Sequence, residues 1–174
     1  YKYIAETGDT AFMDEVIPYA THGEGTVLDH LKRAIDFSMN HLGAHGMPAG
    51  LHADWNDCLR LGAAGESSFV AMQLYLALRL LDELMPNKPE NDEYRVYLRQ
   101  KAEEQKALIN QHFWEDDRFR RGYSEQGSII GSKNDPEASM WLNPQSWAVI
   151  SGLATPEQAE KAMQTAFEQL NTPF

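Results

Sequence analysis

The sequence predicts an all-α fold of paired helices, the arrangement that builds an α/α barrel, and three observations predict it. Apolar residues recur at three-and-four spacing along most of the 174 residues, which marks one buried helical stripe after another. The stripes end at glycine or proline, and three of them open on a Thr or Asn that can accept hydrogen bonds from a first turn. The loops between them gather polar and aromatic side chains. A hydrophobic share of 43% is ordinary for a globular chain, and the length suits a single domain with one core.

The elements follow in order. Thr26 caps a helix whose apolar positions are Val27, Leu28, Leu31, Ala34, Ile35 and Leu42, ended by Gly43 and the Gly46-Met47-Pro48 segment. A second helix runs from about Glu66 to Leu84, with Phe69, Val70, Leu74, Ala77, Leu81 and Leu84 on one side. Leu76, Leu78 and Leu80 widen that side, so this helix is expected to lie deeper than its neighbours. Pro86 and Pro89 separate it from a third, over 92–112, where Tyr94, Tyr97, Leu98, Leu108 and Ile109 sit among many charges and suggest an outer position. From Trp114 to Asp135 short alternating pieces broken by Asp-Asp, Arg-Gly and Gln-Gly predict a small hairpin or an ordered loop. Asn143 is expected to cap a short helix with Pro144 at its first position, ended by Gly152. Thr155-Pro156-Glu157-Gln158 opens the last helix, with a capping Thr and a Gln three residues on. No sequence repeat is present.

Charge excludes several functions. With 26 acidic and 15 basic residues the formal net charge is −11, the wrong sign for neutralising phosphates of nucleic acid or docking on an anionic membrane. The longest apolar stretch, Phe69 to Leu84, is interrupted by Gln73, Arg79, Asp82 and Glu83, and no run reaches the roughly 20 residues needed to span a bilayer. The single cysteine, Cys58, rules out an internal disulfide and a cysteine-built zinc cage; a reduced, cytoplasmic setting is the easier reading, with secretion left open. The first residues lack the pattern of a signal peptide. The chain opens without Met and stops at Asn171-Thr172-Pro173-Phe174, so residues 1–174 are expected to be one piece of a larger domain, cut at both ends.

The chemistry concentrates in Gly46-Met-Pro-Ala-Gly-Leu-His-Ala-Asp-Trp-Asn-Asp-Cys-Leu-Arg-Leu-Gly62, followed by Gly65-Glu-Ser-Ser68. Two carboxylates, an indole, an amide, an imidazole and a guanidinium lie between glycines that lift them out of the flanking helices. A pyranose stacks its flat apolar face on Trp, while its hydroxyls need fixed donors and acceptors. Cleaving a glycosidic bond needs an acid to protonate the departing oxygen, a role suited to a carboxyl beside an aromatic wall. Spacing alone allows a plainer reading, in which Asp54-Trp55-Asn56-Asp57 is a capped turn around a core Trp.

Ala53-Asp-Trp-Asn-Asp-Cys-Leu59 with Gly65-Glu-Ser67, then Leu142-Asn-Pro-Gln-Ser-Trp-Ala-Val-Ile-Ser-Gly-Leu-Ala154, resembles glycoside hydrolase family 94, the inverting disaccharide phosphorylases. The lead-in Tyr3-Ile-Ala-Glu-Thr-Gly-Asp9, Pro18-Tyr19 and Arg120-Arg121-Gly122 fit as well, so the resemblance spans essentially the whole chain. It implies an (α/α)6-barrel catalytic domain, with Asp57 as proton donor and Trp55 along the donor-sugar subsite. Inorganic phosphate would act as co-substrate, with no cofactor and no metal, attacking the anomeric carbon of cellobiose or N,N′-diacetylchitobiose to give an α-sugar 1-phosphate and a free sugar. One carboxyl then suffices, because phosphate needs no general base. The phosphate pocket and much of the acceptor subsite are expected outside residues 1–174, so isolated activity is not expected. Relatives commonly form homodimers.

Other residues carry two readings each. Asp54 binds a donor hydroxyl or orients the loop; Arg60 balances the carboxylates or is merely exposed; His52 reaches a sugar or is solvated. Gln145 and Trp147 point into the cavity or pack the core. Glu66 is expected to stabilise a helix N-terminus, and Cys58 to be a small packed side chain. His41 and His45 straddle Gly43 and form no helical metal pair. Two other functions remain. An inverting hydrolase would need a second carboxylate about 6.5–9.5 Å from Asp57, for which Glu125 and Glu137 are the candidates. A non-catalytic helical binding module would need no acid at all.

Overall fold

A computed structural model of the chain describes residues 1–173, and three of its helices start at a Thr or Ser side chain that accepts a first-turn amide. The chain begins with α1 (Lys2–Thr7), a 3-10 turn (Thr10–Asp14) and an antiparallel ribbon of β1 (Val16–Pro18) and β2 (Glu24–Thr26), none of which the helical spacing foretold. The ribbon runs straight into α2 (Val27–Met39). Thr26 Oγ1 accepts the Asp29 amide at 3.0 Å and the Asp29 carboxylate accepts the Thr26 amide at 3.0 Å, a reciprocal cap. This helix stops short of Gly43. Leu42 lies beyond it, bridged to Pro48, so it belongs to the following loop rather than to the buried stripe.

A two-residue strand, β3 (Glu66–Ser67), leads into α3 (Ser68–Leu84), whose first turn is capped by Ser67. As the broad apolar face predicts, α3 is the central helix. It buries Phe69, Ala71, Met72, Leu74, Tyr75, Leu78 and Leu81, and packs against α2, α4 (Asp92–Phe113) and α5 (Leu142–Ile150). Each fully enclosed Met or Leu there contributes about 1.5–3 kcal/mol. α4 buries Leu98, Ala102, Gln105, Ile109 and Phe113, and most of its charged residues are exposed, while Arg95 and Arg99 pair with Asp82 of α3. The last helix, α6 (Pro156–Leu170), lies on α5 and starts with the expected Thr155–Gln158 capping box.

Helices dominate, and the hairpin expected around 114–135 is present; the β1–β2 ribbon and the pairing of β3 with this segment go beyond the expected all-α description. Residues 114–130 form a hairpin of β4 (Trp114–Glu115) and β5 (Arg118–Phe119), turning through a left-handed Asp116, then β6 (Gly122–Tyr123) and β7 (Ile129–Ile130). β6 pairs with both β7 and β3, making a three-stranded antiparallel sheet that ties this segment to the start of α3. Glycine is required at 122, where a Cβ would stand 2.6 Å from the Glu66 carbonyl oxygen. A correction concerns α5, which begins at Leu142 with Trp141 outside it, not at an Asn143 cap. Pro144 is still tolerated in the first turn, because amides there have no helical acceptor to lose. Among the described residues no helix is long and apolar enough to cross a membrane.

Candidate active site

The segment between α2 and α3 is a loop closed at its neck. Gly50 donates to the Gly65 carbonyl at 2.8 Å and Leu51 to that of Ala63 at 2.9 Å, so the chain leaves and returns at nearly one place. Leu51 and His52 both take left-handed backbone, at φ 50° and 66°, a conformation that disfavours side chains bearing a Cβ and concentrates at functional loops. The tip is a series of side-chain turns. Asp54 Oδ1 accepts the Asn56 amide at 3.0 Å, Asn56 Oδ1 accepts the Cys58 amide at 3.1 Å, and the Asn56 carbonyl accepts the Leu59 amide at 2.8 Å. Asp57 stands inside this series.

A cleft of about 630 Å³ is lined by His52, Asp54, Asp57, Arg60, Glu125 and neighbouring backbone. The sequence-predicted residues Asp54, Asp57 and Arg60 therefore share one wall, with Asp57 and Arg60 exposed. Trp55 does not line the cleft. Its ring is 73% exposed and meets Phe69 edge-on at 6.2 Å, and Phe69 in turn meets Trp147 at 5.3 Å. The core-Trp reading of the turn is thus excluded, since the indole projects from the loop.

Gln145 is not in the cleft either. It is fully enclosed; its Oε1 accepts the Phe119 amide at 2.8 Å, and its Nε2 donates to the carbonyls of Phe119 at 2.8 Å and Trp141 at 3.0 Å. With its amide engaged by backbone, the packing reading of Gln145 replaces the sugar-contact one. Cys58 is exposed, not packed. His41, just past the end of α2, bonds the Phe37 carbonyl, while His45 bonds Glu66.

Two buried carboxylates decide the loop's setting. Asp54 pairs with the Nη2 of Arg121, whose side chain is 1% exposed and whose Nη1 donates to Ser67 Oγ at 2.6 Å. The guanidinium carbon lies 5.6 Å from the ring centre of Trp141 and 5.9 Å from that of Phe69. Asp54 Oδ2 and Arg121 Nε are buried without a hydrogen-bond partner among the described residues. Glu66 does not stabilise a helix end as expected. It is 1% exposed, and its Oε1 accepts the amides of His45 at 3.0 Å and Met47 at 3.1 Å while its Oε2 meets His45 Nδ1. Neighbouring residues of β3 thus face opposite ways, Glu66 towards the 43–47 segment and Ser67 towards Arg121 and the 50–65 loop. Sequence reasoning gave Arg121 no role of its own and misassigned Glu66, because each acts on partners distant in the chain.

Around this centre, His45 lies against His112 at 4.6 Å and Tyr123 at 4.2 Å. Burial, then the neighbouring His45 charge, holds the His112 imidazole below its ordinary value, against an upward pull from Glu66. Glu125 is a brace: its Oε2 accepts the Ala63 amide at 2.9 Å, its Oε1 accepts from Gln126 at 2.9 Å, and its own amide donates to Leu61 at 2.7 Å. Gly62, at φ 87°, lets that carboxylate come close, since a Cβ there would fall 2.2 Å from it. Glu137 is exposed and does not line the cleft.

The family model described as Glycosyl hydrolase 94 superfamily, catalytic domain, matches residues 1–174. An N,N'-diacetylchitobiose phosphorylase of Vibrio proteolyticus is 39% identical over 99% of this chain and 22% of its own length. A solabiose phosphorylase of Paenibacillus borealis is 35% identical over 99% of the chain and 23% of its length. A cellobionic acid phosphorylase of Neurospora crassa is 30% identical over 99% and 22%. The chain therefore spans less than a quarter of the length of these relatives.

Proposed function

This chain belongs to the glycosyl hydrolase 94 superfamily, within its catalytic domain, and on that premise we propose that it carries the acid loop of an inverting disaccharide phosphorylase. The observation that carries the reading is Asp57, exposed on the wall of the cleft and held by turns on both sides, in a chain similar over nearly all its length to proteins named as phosphorylases. Asp57 donates its proton to the glycosidic oxygen as the bond to the anomeric carbon breaks, and the bonding pair goes to the departing sugar. A phosphate oxygen forms the new bond from the opposite face, giving an α-sugar 1-phosphate and a free sugar. Trp55 offers its open indole to the transferred ring, while Asp54, with Oδ1 on Arg121 and Oδ2 buried, takes the loop-orienting reading over the donor-hydroxyl one. The phosphate is held by residues of the wider domain, which we take to be an (α/α)6 barrel completed by helices outside this chain. A cytoplasmic setting keeps the exposed Cys58 reduced.

The relatives named above act on different sugars by their names, so the substrate class proposed is a β-linked disaccharide, with N,N′-diacetylchitobiose and cellobiose the first to test. The inverting-hydrolase reading draws on Glu125, which shares the cleft with Asp57; against it, Glu125 Oε2 already holds the Ala63 amide of the loop and Oε1 the side chain of neighbouring Gln126. One assay separates the two. The full-length protein given a disaccharide releases sugar 1-phosphate only when phosphate is present, and Asp57→Asn abolishes it. Equal cleavage in phosphate-free buffer, or an active Asp57→Asn variant, refutes the proposal.

A further inference from the structure

We infer that Arg121 is the positioning residue of the acid loop, fixing Asp57 through Asp54. The inference rests on the proposed phosphorylase reading for its assay, and on geometry for its argument. Arg121 is launched from a backbone fixed on both sides: its amide donates to Ile130 at 2.9 Å, and its carbonyl accepts from the Ser68 amide at 3.1 Å and the Ser68 hydroxyl at 3.0 Å. Trp141 and Phe69 flank the guanidinium, and Ser67 takes one arm. Its other arm reaches Asp54. The same Asp54 oxygen accepts the Asn56 amide, and the Asn56 side chain accepts the Cys58 amide, so the backbone before and after Asp57 is tied back to the Arg121 end.

Other ties hold the loop only at its base. The Gly50–Gly65 and Leu51–Ala63 bonds close the neck, and Glu125 braces Ala63 and Leu61. Arg121 is the one cation paired with the tip among the described residues. A buried ion pair is a poor stabiliser, because removing two charges from water offsets most of their attraction. What a planar guanidinium between two rings does supply is direction. A general acid needs direction more than its surroundings need charge, since displacement by about 1 Å can slow a reaction on the order of a hundredfold.

The test compares two leaving groups in the full-length protein with phosphate present. A disaccharide needs the proton of Asp57; the corresponding β-glycosyl fluoride does not, because fluoride departs with its bonding pair unprotonated. Arg121→Lys keeps the charge and loses the planar fork. It is expected to slow disaccharide phosphorolysis by about a hundredfold while the fluoride reacts within a few-fold of the parent. Equal losses on both substrates, or no loss on the disaccharide, overturn the inference. Should Arg121→Lys lose its melting transition, Ser67→Ala, which removes the second arm and leaves the ion pair, is judged by the same criterion: selective loss supports positioning, and parallel or absent loss overturns it. A parent protein that makes no sugar phosphate from the disaccharide fails at an earlier and separate point, the proposed function itself.

Discussion

Glu66→Ala would strip the base of the 50–65 loop of an acceptor shared by two amides. The parent carboxylate takes the His45 amide at 3.0 Å and the Met47 amide at 3.1 Å, and the residue is 1% exposed. A buried donor left without a partner costs about 1–3 kcal/mol. Met47 is fully enclosed and bears the upper part of that range, whereas half-buried His45 can recruit water and bears the lower. A local destabilisation of about 3 kcal/mol follows, which is roughly two decades in the opening equilibrium. Amide hydrogen exchange read by mass spectrometry on the full-length protein would show it as faster exchange in peptides covering 41–67, with α6 peptides unchanged. Glu66→Gln keeps size and an acceptor oxygen for both amides, so its effect should stay near tenfold or below. Parent-like exchange in Glu66→Ala, or equal effects of the two variants, would refute the reasoning.

Two further outcomes can be checked directly. Gln145→Leu leaves the Phe119 amide without an acceptor and should lower stability by about 1–3 kcal/mol with the KM for disaccharide unchanged; a raised KM in a protein of parent stability would restore the sugar-contact reading. Acid should weaken the fold in two steps. Burial pushes Glu115 up, but the Lys133 amide, the Ser132 hydroxyl and Arg120 outweigh it and hold the carboxyl below its ordinary 4.5. The unfolded chain then takes up a proton at 4.5 while the folded one stays ionised, so this contribution is complete above 4.5 and lost as pH falls through the folded value. His112, held below 6.5, behaves likewise from 6.5 downward, because the unfolded imidazole binds its proton first. Melting curves against pH should lose the lower step in Glu115→Gln and the upper in His112→Asn; steps that survive both replacements would refute the assignment.

What the sequence reveals here is local. Thr26 with Asp29 and Thr155 with Gln158 are within one helical turn, and both caps form as their spacing predicts. The depth of α3 follows from leucines on too wide an arc to face water. The exposure of Asp57 and Trp55 was legible because polar residues set densely between glycines leave the helices for a loop. Arg121 and Asp54 lie 67 positions apart, and Glu66 meets His45 across 21, so no window of the sequence contains both partners. The same holds for the sheet: β3 and β6 are each two residues long and exist through each other. The alternating pieces over 114–135 announced strands on one side of this pairing, but nothing at Glu66–Ser67 announced their partner. Gln145 was misread for a related reason, since an amide that completes a hydrogen-bond ladder and one that awaits a ligand have the same one-letter code.

The opposed facings of Glu66 and Ser67 bear on where this segment tolerates changes of length. Inserting or deleting one residue at the neck would exchange the two faces, turning a carboxylate towards Asp54 and a hydroxyl towards the amides of His45 and Met47. Residues added at exposed Cys58, on the far side of the turns, would leave both faces in place. Loop exchange between relatives should therefore join chains outside 49–67, so that the neck travels with the tip it carries.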